Sequence, residues 1–191
     1  METKDHYFLA KYMVDHIEIN GIKKLAFLLG NLVPDVNPLT YLSLSEKKWF
    51  QGHSYHYRKK FLFKTIRAKR NNTFYEWYSI GKMMHYLTDS FTRPHNDRFG
   101  YKSKKHTEYE SSLHQYFKNK MQNRESWFLR EREKPLKRLD LWLDKIHREY
   151  LEKAVSVQDD FKYILSVTMT ICAGLRKRTD YKQMILVNGN G

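Results

Sequence analysis

Two pairs of ionisable side chains, His85 with Asp89 and His106 with Glu110, are spaced four residues apart in segments whose other regular positions are mostly apolar. In an α-helix, residues i and i+4 lie on one face, one turn apart. Phe74, Tyr78, Gly81, His85, Asp89 and Thr92 fall on one such stripe, and His106, Glu110, Leu113 and Phe117 on another. Stripes of this composition face a core, so both pairs are carried inward. Burying carboxylates and imidazoles without compensation is costly, because each charge loses its hydration. A fold that accepts both pairs must join them in a polar network or set a cation between them.

The rest of the chain reads as helix as well. It has 191 residues, enough for one domain spanning 1–191 with a core of its own, and 41% of them are hydrophobic. Only 8 Gly and 4 Pro are present, which disfavours a turn-rich β fold. Residues 6–16 form a first helix with Leu9, Met13 and Ile17 on one side, broken at Gly21. Residues 23–29 form a short apolar helix ending at Gly30, and 31–45, with Pro34 and Pro38, a loop. A basic helix covers 55–67. Thr73 caps the next helix, with Glu76 as its capping-box partner, and that helix runs to about Phe91 before Arg93-Pro94 closes it. A basic loop over 99–105 precedes a helix over 106–121. Pro135 suits the first turn of another, with Leu136, Leu139, Leu143, Ile146 and Tyr150 inward. The last helix covers 158–176, and the tail after Asp180 is irregular. The expectation is an all-α, single-domain bundle of six or seven helices.

Charge narrows the partners. Lys and Arg number 35 against 21 Asp and Glu, a formal net charge of +14. Such an excess attracts anions, whether nucleic acid, an acidic membrane surface or phosphorylated substrates, or simply solvates the surface. The single cysteine, Cys172, lies in an apolar helical run and reads as a small core hydrophobe, with no intrachain disulfide possible. No apolar leader opens the chain and no segment approaches the ~20 apolar residues of a membrane span. A cytoplasmic protein is expected, or a secreted one if a signal peptide has been removed.

Imidazole nitrogen and carboxylate oxygen are both good zinc ligands. His85 with Asp89, and His106 with Glu110, can each grip one ion. His95 follows the end of its helix, where a loop can bring it to either. Upstream, Asp35 lies in the loop after a short helix and His53 opens the next helix. His56, three residues on, falls nearby but points elsewhere.

The series Asp35, His53, His85, Asp89, His95, His106 and Glu110 resembles the ligand order of the zinc-dependent phospholipase C family, related by fold to the fungal single-strand zinc nucleases. The opening His6-Tyr-Phe-Leu-Ala-Lys-Tyr-Met is similar to the family's first helix, and Gly30-Asn-Leu-Val-Pro-Asp35 to its Gly-x-x-x-Pro-Asp loop. The resemblance covers roughly residues 6–117. It implies a helical bundle around two or three zinc ions (Zn2+). Asp35, His53, His85 and Asp89 would hold one ion; His95, His106 and Glu110 would hold a second. His6, the shared Asp89 carboxylate and the N-terminal amine and carbonyl would hold a third. Secreted members begin with a processed Trp, whereas this chain begins with Met1, retained because Glu2 is large.

The resemblance further implies a zinc-dependent phosphoric ester hydrolase that cleaves a phosphodiester, foremost a phospholipid, with Asp35 as ligand, general base or both. A single-strand nuclease or nucleotidase acting on nucleic acid is the alternative, and a non-catalytic metal-binding or membrane-associating protein is the third reading. Tyr41, Trp49, Phe50 and Tyr55 can hold a choline head by cation–π contact, stack a base, or belong to the core.

Overall fold

Seven helices account for nearly all of the described chain. The computed structural model describes residues 1–37, 53–68, 71–99, 103–122 and 138–188. In chain order they are α1 (Thr3–Ile17), α2 (Gly21–Val36), α3 (Tyr55–Arg67), α4 (Phe74–Asp89), α5 (Ser103–Gln122), α6 (Leu139–Lys153) and α7 (Val157–Asn188). Two short 3-10 turns, Arg93–His95 and Asp97–Phe99, follow α4. Among the described residues there is no strand.

α4 runs through the middle and touches α1, α2, α3 and α7. Its last turns are buried on every side, from Met83 to Asp89. Leu9 and Met13 of α1, Phe27 of α2, Leu62 of α3 and Ile164, Val167 and Ile171 of α7 complete the core with Ile80, Met83, Met84 and Leu87. Leu113 and Phe117 of α5 and Leu143 and Tyr150 of α6 are buried as their helical spacing predicts, and so is Cys172.

The cap of α4 forms as expected, with one variation. Thr73 Oγ1 accepts the Glu76 amide at 3.3 Å. The Glu76 carboxylate accepts the amides of Asn71 (2.6 Å) and Asn72 (2.5 Å), one and two residues before the cap. Asn72 adopts φ 65°, a left-handed turn that aims both amides at the carboxylate.

α2 departs most from expectation. It does not end at Gly30 but continues through Pro34 to Val36, so Asp35 lies in its last helical turn rather than in a loop. Gly30 is needed for a close crossing, not for a stop. A Cβ there would lie 2.0 Å from the Tyr78 carbonyl oxygen, and one on Gly81 would lie 2.0 Å from that of Phe27. Each helix thus presses its backbone into the other at a glycine. Asn31 meets Gly81 and His85, and Asp35 meets His85, so α2 and α4 run parallel and their C-terminal ends converge.

Other boundaries shift. α4 ends at Asp89, not Phe91, because the chain tightens into 3-10 turns toward Pro94. Within the basic segment 99–105, Phe99 closes a 3-10 turn and α5 begins at Ser103 rather than His106. The tail is helical through Asn188, as α7 continues past Asp180. Pro135, Leu136, Tyr41, Trp49 and Phe50 lie outside the described residues.

Substituting Gly81 by Ala should force the two backbones apart. We expect Gly81→Ala to destabilise the protein by about 2–3 kcal/mol in urea unfolding, a typical overpacking cost. An exposed-helix control such as Lys11→Ala should change stability by less than about 0.5 kcal/mol.

Candidate metal centre

The converging ends of α2 and α4 bring the ionisable residues together. Three sets of side chains have ligand atoms close enough to share an ion: His6, His85 and Asp89; Asp35, His53 and His85; and His95, His106 and Glu110. All eight residues anticipated from the sequence are in one cluster. α1 brings His6, α2 Asp35, the turn before α3 His53, α4 His85 and Asp89, the 3-10 turn His95, and α5 His106 and Glu110. His56 is exposed and takes no part.

The spacings suit tetrahedral ligation. Donors ~2.0–2.1 Å from a common tetrahedral centre stand ~3.3–3.4 Å apart. His85 Nε2 lies 3.2 Å from His53 Nδ1, 3.3 Å from Asp89 Oδ2 and 3.4 Å from Asp35 Oδ1. Glu110 Oε1 lies 3.1 Å from His106 Nε2 and 3.4 Å from His95 Nε2. Asp89 is shared: Oδ2 is 2.8 Å from His53 Nδ1, and Oδ1 is 3.1 Å from His6 Nε2 and 3.7 Å from His95 Nε2.

The proton arrangement says more than the distances. His85 Nδ1 is 2.8 Å from the Asn31 carbonyl, which can only accept, so Nδ1 carries the proton. In the neutral ring, Nε2 then turns a lone pair toward two carboxylates and another imidazole. His6 repeats the pattern. Thr88 Oγ1 donates its one proton to the His85 carbonyl (2.8 Å), so it accepts from His6 Nδ1 at 3.2 Å. His6 Nε2 therefore faces Asp89 Oδ1 with a lone pair. Lone pairs opposed to buried carboxylates repel unless a cation lies between them. An imidazole tautomer fixed by an outer acceptor is also how metal-binding histidines are usually oriented.

A cation also reaches Asp89 and Glu110. The Met1 amine donates to Asp89 Oδ1 (3.0 Å) and Glu110 Oε1 (2.9 Å) and lies 3.4 Å from His95 Nε2. Burial opposes its charge, but Asp89 and Glu110 outweigh burial and push it up to about 11. Asp89, despite burial, is held well below the usual carboxylate range by the amine, His95, His6 and His85. Glu110 is held low mainly by the same amine, then by hydrogen bonds to His106 and His95. Burial pushes His6 and His53 down to about 4, keeping them neutral and able to donate a lone pair. The donor set therefore fits zinc in ligand type and spacing.

A second layer holds this arrangement and had no clear trace in the sequence. Asp160 of α7, fully buried, accepts the Arg93 amide (2.9 Å), Tyr109 Oη (2.9 Å) and Tyr150 Oη (2.9 Å). One carboxylate thus ties the turn bearing His95 to α5, where Tyr109 adjoins Glu110. Asn96 Nδ2 donates to the Ser90 and Thr92 carbonyls, and His147 Nε2 to Ser90 O and Asn96 Oδ1, both at 3.1 Å. Tyr55 stacks on His147 at 3.8 Å and donates to Asp144. It is buried in this network and offers no platform to a choline or a base. The Asn31 carbonyl and Thr88 hydroxyl were also unmarked, although a polar residue three positions after His85 on an inward helix was a usable hint.

A family model described as "Zinc dependent phospholipase C" matches residues 5–156. No curated protein and no solved structure gives a significant match to the chain.

His147 supplies a pH test outside the ligand set. Burial pushes its pKa down from 6.5 to about 4. Its folded pKa lies below the unfolded one, so its contribution is present above pH 6.5 and is lost as pH falls toward 4. His147→Gln keeps an N–H donor and removes the titration. Urea melts of chelator-treated protein across this window should show stability falling with acidification, and less steeply in His147→Gln.

Proposed function

The chain belongs to the zinc-dependent phospholipase C family, and from that premise we propose that it hydrolyses the phosphodiester of a phospholipid at the convergence of α2, α4 and α5. That family supports a zinc-dependent, phospholipase C-like hydrolase; the bond cleaved and the number of ions are our reading. The observation that carries it is the convergence of His6 Nε2 and His85 Nε2 on Asp89, their other ring nitrogens turned to Thr88 and the Asn31 carbonyl, an arrangement that a cation at the carboxylate would complete.

In this reading Asp35, His53, His85 and Asp89 hold one zinc, and His95, His106 and Glu110 a second. His6 and Asp89, with the Met1 amine between Asp89 and Glu110, form the third set. Zinc, when bound, supplies Lewis acidity that makes water a stronger acid and neutralises phosphate oxygens. The chain's own residues do the rest. Asn31 and Thr88 fix the tautomers of His85 and His6. Burial keeps bulk water from Asp89. Asp35, at the end of α2 and 3.4 Å from His85 Nε2, would receive the proton of an attacking water in this reading. The net charge of +14 favours encounter with an anionic substrate.

Metal analysis should find two or three zinc ions per chain, and chelation should lower the thermal midpoint, because metal bound only to the folded state stabilises it. Asp89→Asn should empty two sets and Glu110→Gln one. Thr88→Val, which removes the acceptor of His6 Nδ1, should weaken zinc binding about tenfold, the usual scale for an outer hydrogen bond. Phosphatidylcholine, single-stranded DNA and bis-p-nitrophenyl phosphate should be compared with and without chelator. Chelator-sensitive release of phosphocholine supports the lipid reading; preferential cleavage of DNA supports the nuclease instead; zinc-replete protein inert on all three refutes hydrolysis.

A further inference from the structure

α2 is apolar on both sides. Ala26, Phe27, Gly30, Asn31 and Pro34 are its buried face. Ile22, Leu25, Leu29, Leu32, Val33 and Val36 fall on an arc of about 100° on the outer side. Of these, Ile22 is 60% exposed, Leu25 49%, Leu29 41% and Val36 69%. Leu32 and Val33 are partly exposed. A helix apolar all round is ordinarily enclosed by protein. A continuous exposed row of large apolar side chains, about 21 Å long at helical rise, marks an interaction surface.

Charge and position select the occupant. The arc carries no carboxylate. Besides Asp35, which turns toward His85, the charged residues of α2 are Lys23 and Lys24 at its start. With the chain at +14, the partner that satisfies this face is apolar inside and anionic at its surface. The row ends at Val36, directly after Asp35 of the metal cluster. A layer lying along it would present its polar boundary beside that cluster. No described helix is long and apolar enough to cross a membrane, so α2 would lie along such a layer.

We infer that the outer face of α2 docks the protein on an anionic phospholipid bilayer. Ile22, Leu25, Leu29 and Val36 enter the acyl boundary, and Lys23 and Lys24 remain among the headgroups. The choice of phospholipid as occupant rests on the hydrolase reading above, while the docking itself requires no turnover.

The test is co-sedimentation of the full chain with vesicles of phosphatidylcholine mixed with phosphatidylserine, and with pure phosphatidylcholine vesicles, at low and high salt. Wild type should sediment with the mixed vesicles, less at high salt and less with pure phosphatidylcholine. Leu25→Ser/Leu29→Ser should bind at least about tenfold more weakly, given the apolar area removed. Ile22→Ser/Val36→Ser should repeat the loss from both ends of the row, and thermal unfolding checks that each variant is folded. Wild type that ignores vesicles, or folded variants that sediment like wild type, would overturn the inference. So would a wild-type dimer that these substitutions disperse, since a second copy would then cover the face. Hydrolysis of monomeric short-chain phosphatidylcholine, followed in parallel on zinc-loaded protein, separates the two readings. Vesicle binding lost in the variants while wild type hydrolyses nothing supports the docking face and refutes the hydrolase; hydrolysis by wild type without vesicle binding does the reverse.

Discussion

A single buried carboxylate, that of Asp89, sets the terms on which the other helices pack. It stands at the end of α4 with the Met1 amine, His6, His53, His85 and His95 around it. An ionised carboxylate removed from water is tolerated only where positive charge and hydrogen bonds replace its hydration. α1, the turn before α3, and the 3-10 turn after α4 must each end within reach of it. The geometry of the bundle is in this sense the set of helix placements that satisfies one oxygen pair.

Placement of that kind needs rigid support, and the structure supplies it at two levels. The reciprocal glycine contact between α2 and α4 brings two backbones together, so that the Asn31 carbonyl can orient His85 and Asp35 can face it. Behind the cluster, Asp160 and His147 fasten the segment from Ser90 to Asn96 to α5 and α6. Neither contributes a ligand to the cluster. Both act by limiting where His95 can stand.

The same helix serves the inside and the outside. One face of α2 builds the cluster, and the opposite face leaves a row of apolar side chains in water. In the proposed reading that row meets the apolar layer that holds the substrate, and the net charge of +14 suits a layer with an anionic face.

His85 with Asp89 and His106 with Glu110 were readable as candidate ligands because metal chemistry restricts residue type and helix geometry restricts spacing, and both restrictions act locally; Asp35 and His53 joined them through the family resemblance. The same holds for α3, bounded as its periodicity indicates, and for the Thr73 cap. Other features could not be read this way. Gly30 and Pro34 look like the end of a helix, yet α2 continues past both: Gly30 makes room for the backbone of α4, and Pro34 forfeits one amide bond two residues before the helix ends. Tyr55 looks like a ligand platform until His147, ninety-two positions away, is seen stacked on it. Asp160 has no motif around it in the chain, and Thr88, although it lies between His85 and Asp89, shows its role only when His6 of α1 is seen beside it. The sequence by itself determined which side chains can bind metal and that helices carry them, since those properties depend on residues within one or two turns. Only the tertiary structure decided which of them share a centre, which proton each imidazole keeps and which face of α2 stays in water, since each of those depends on contacts between residues that the chain places far apart.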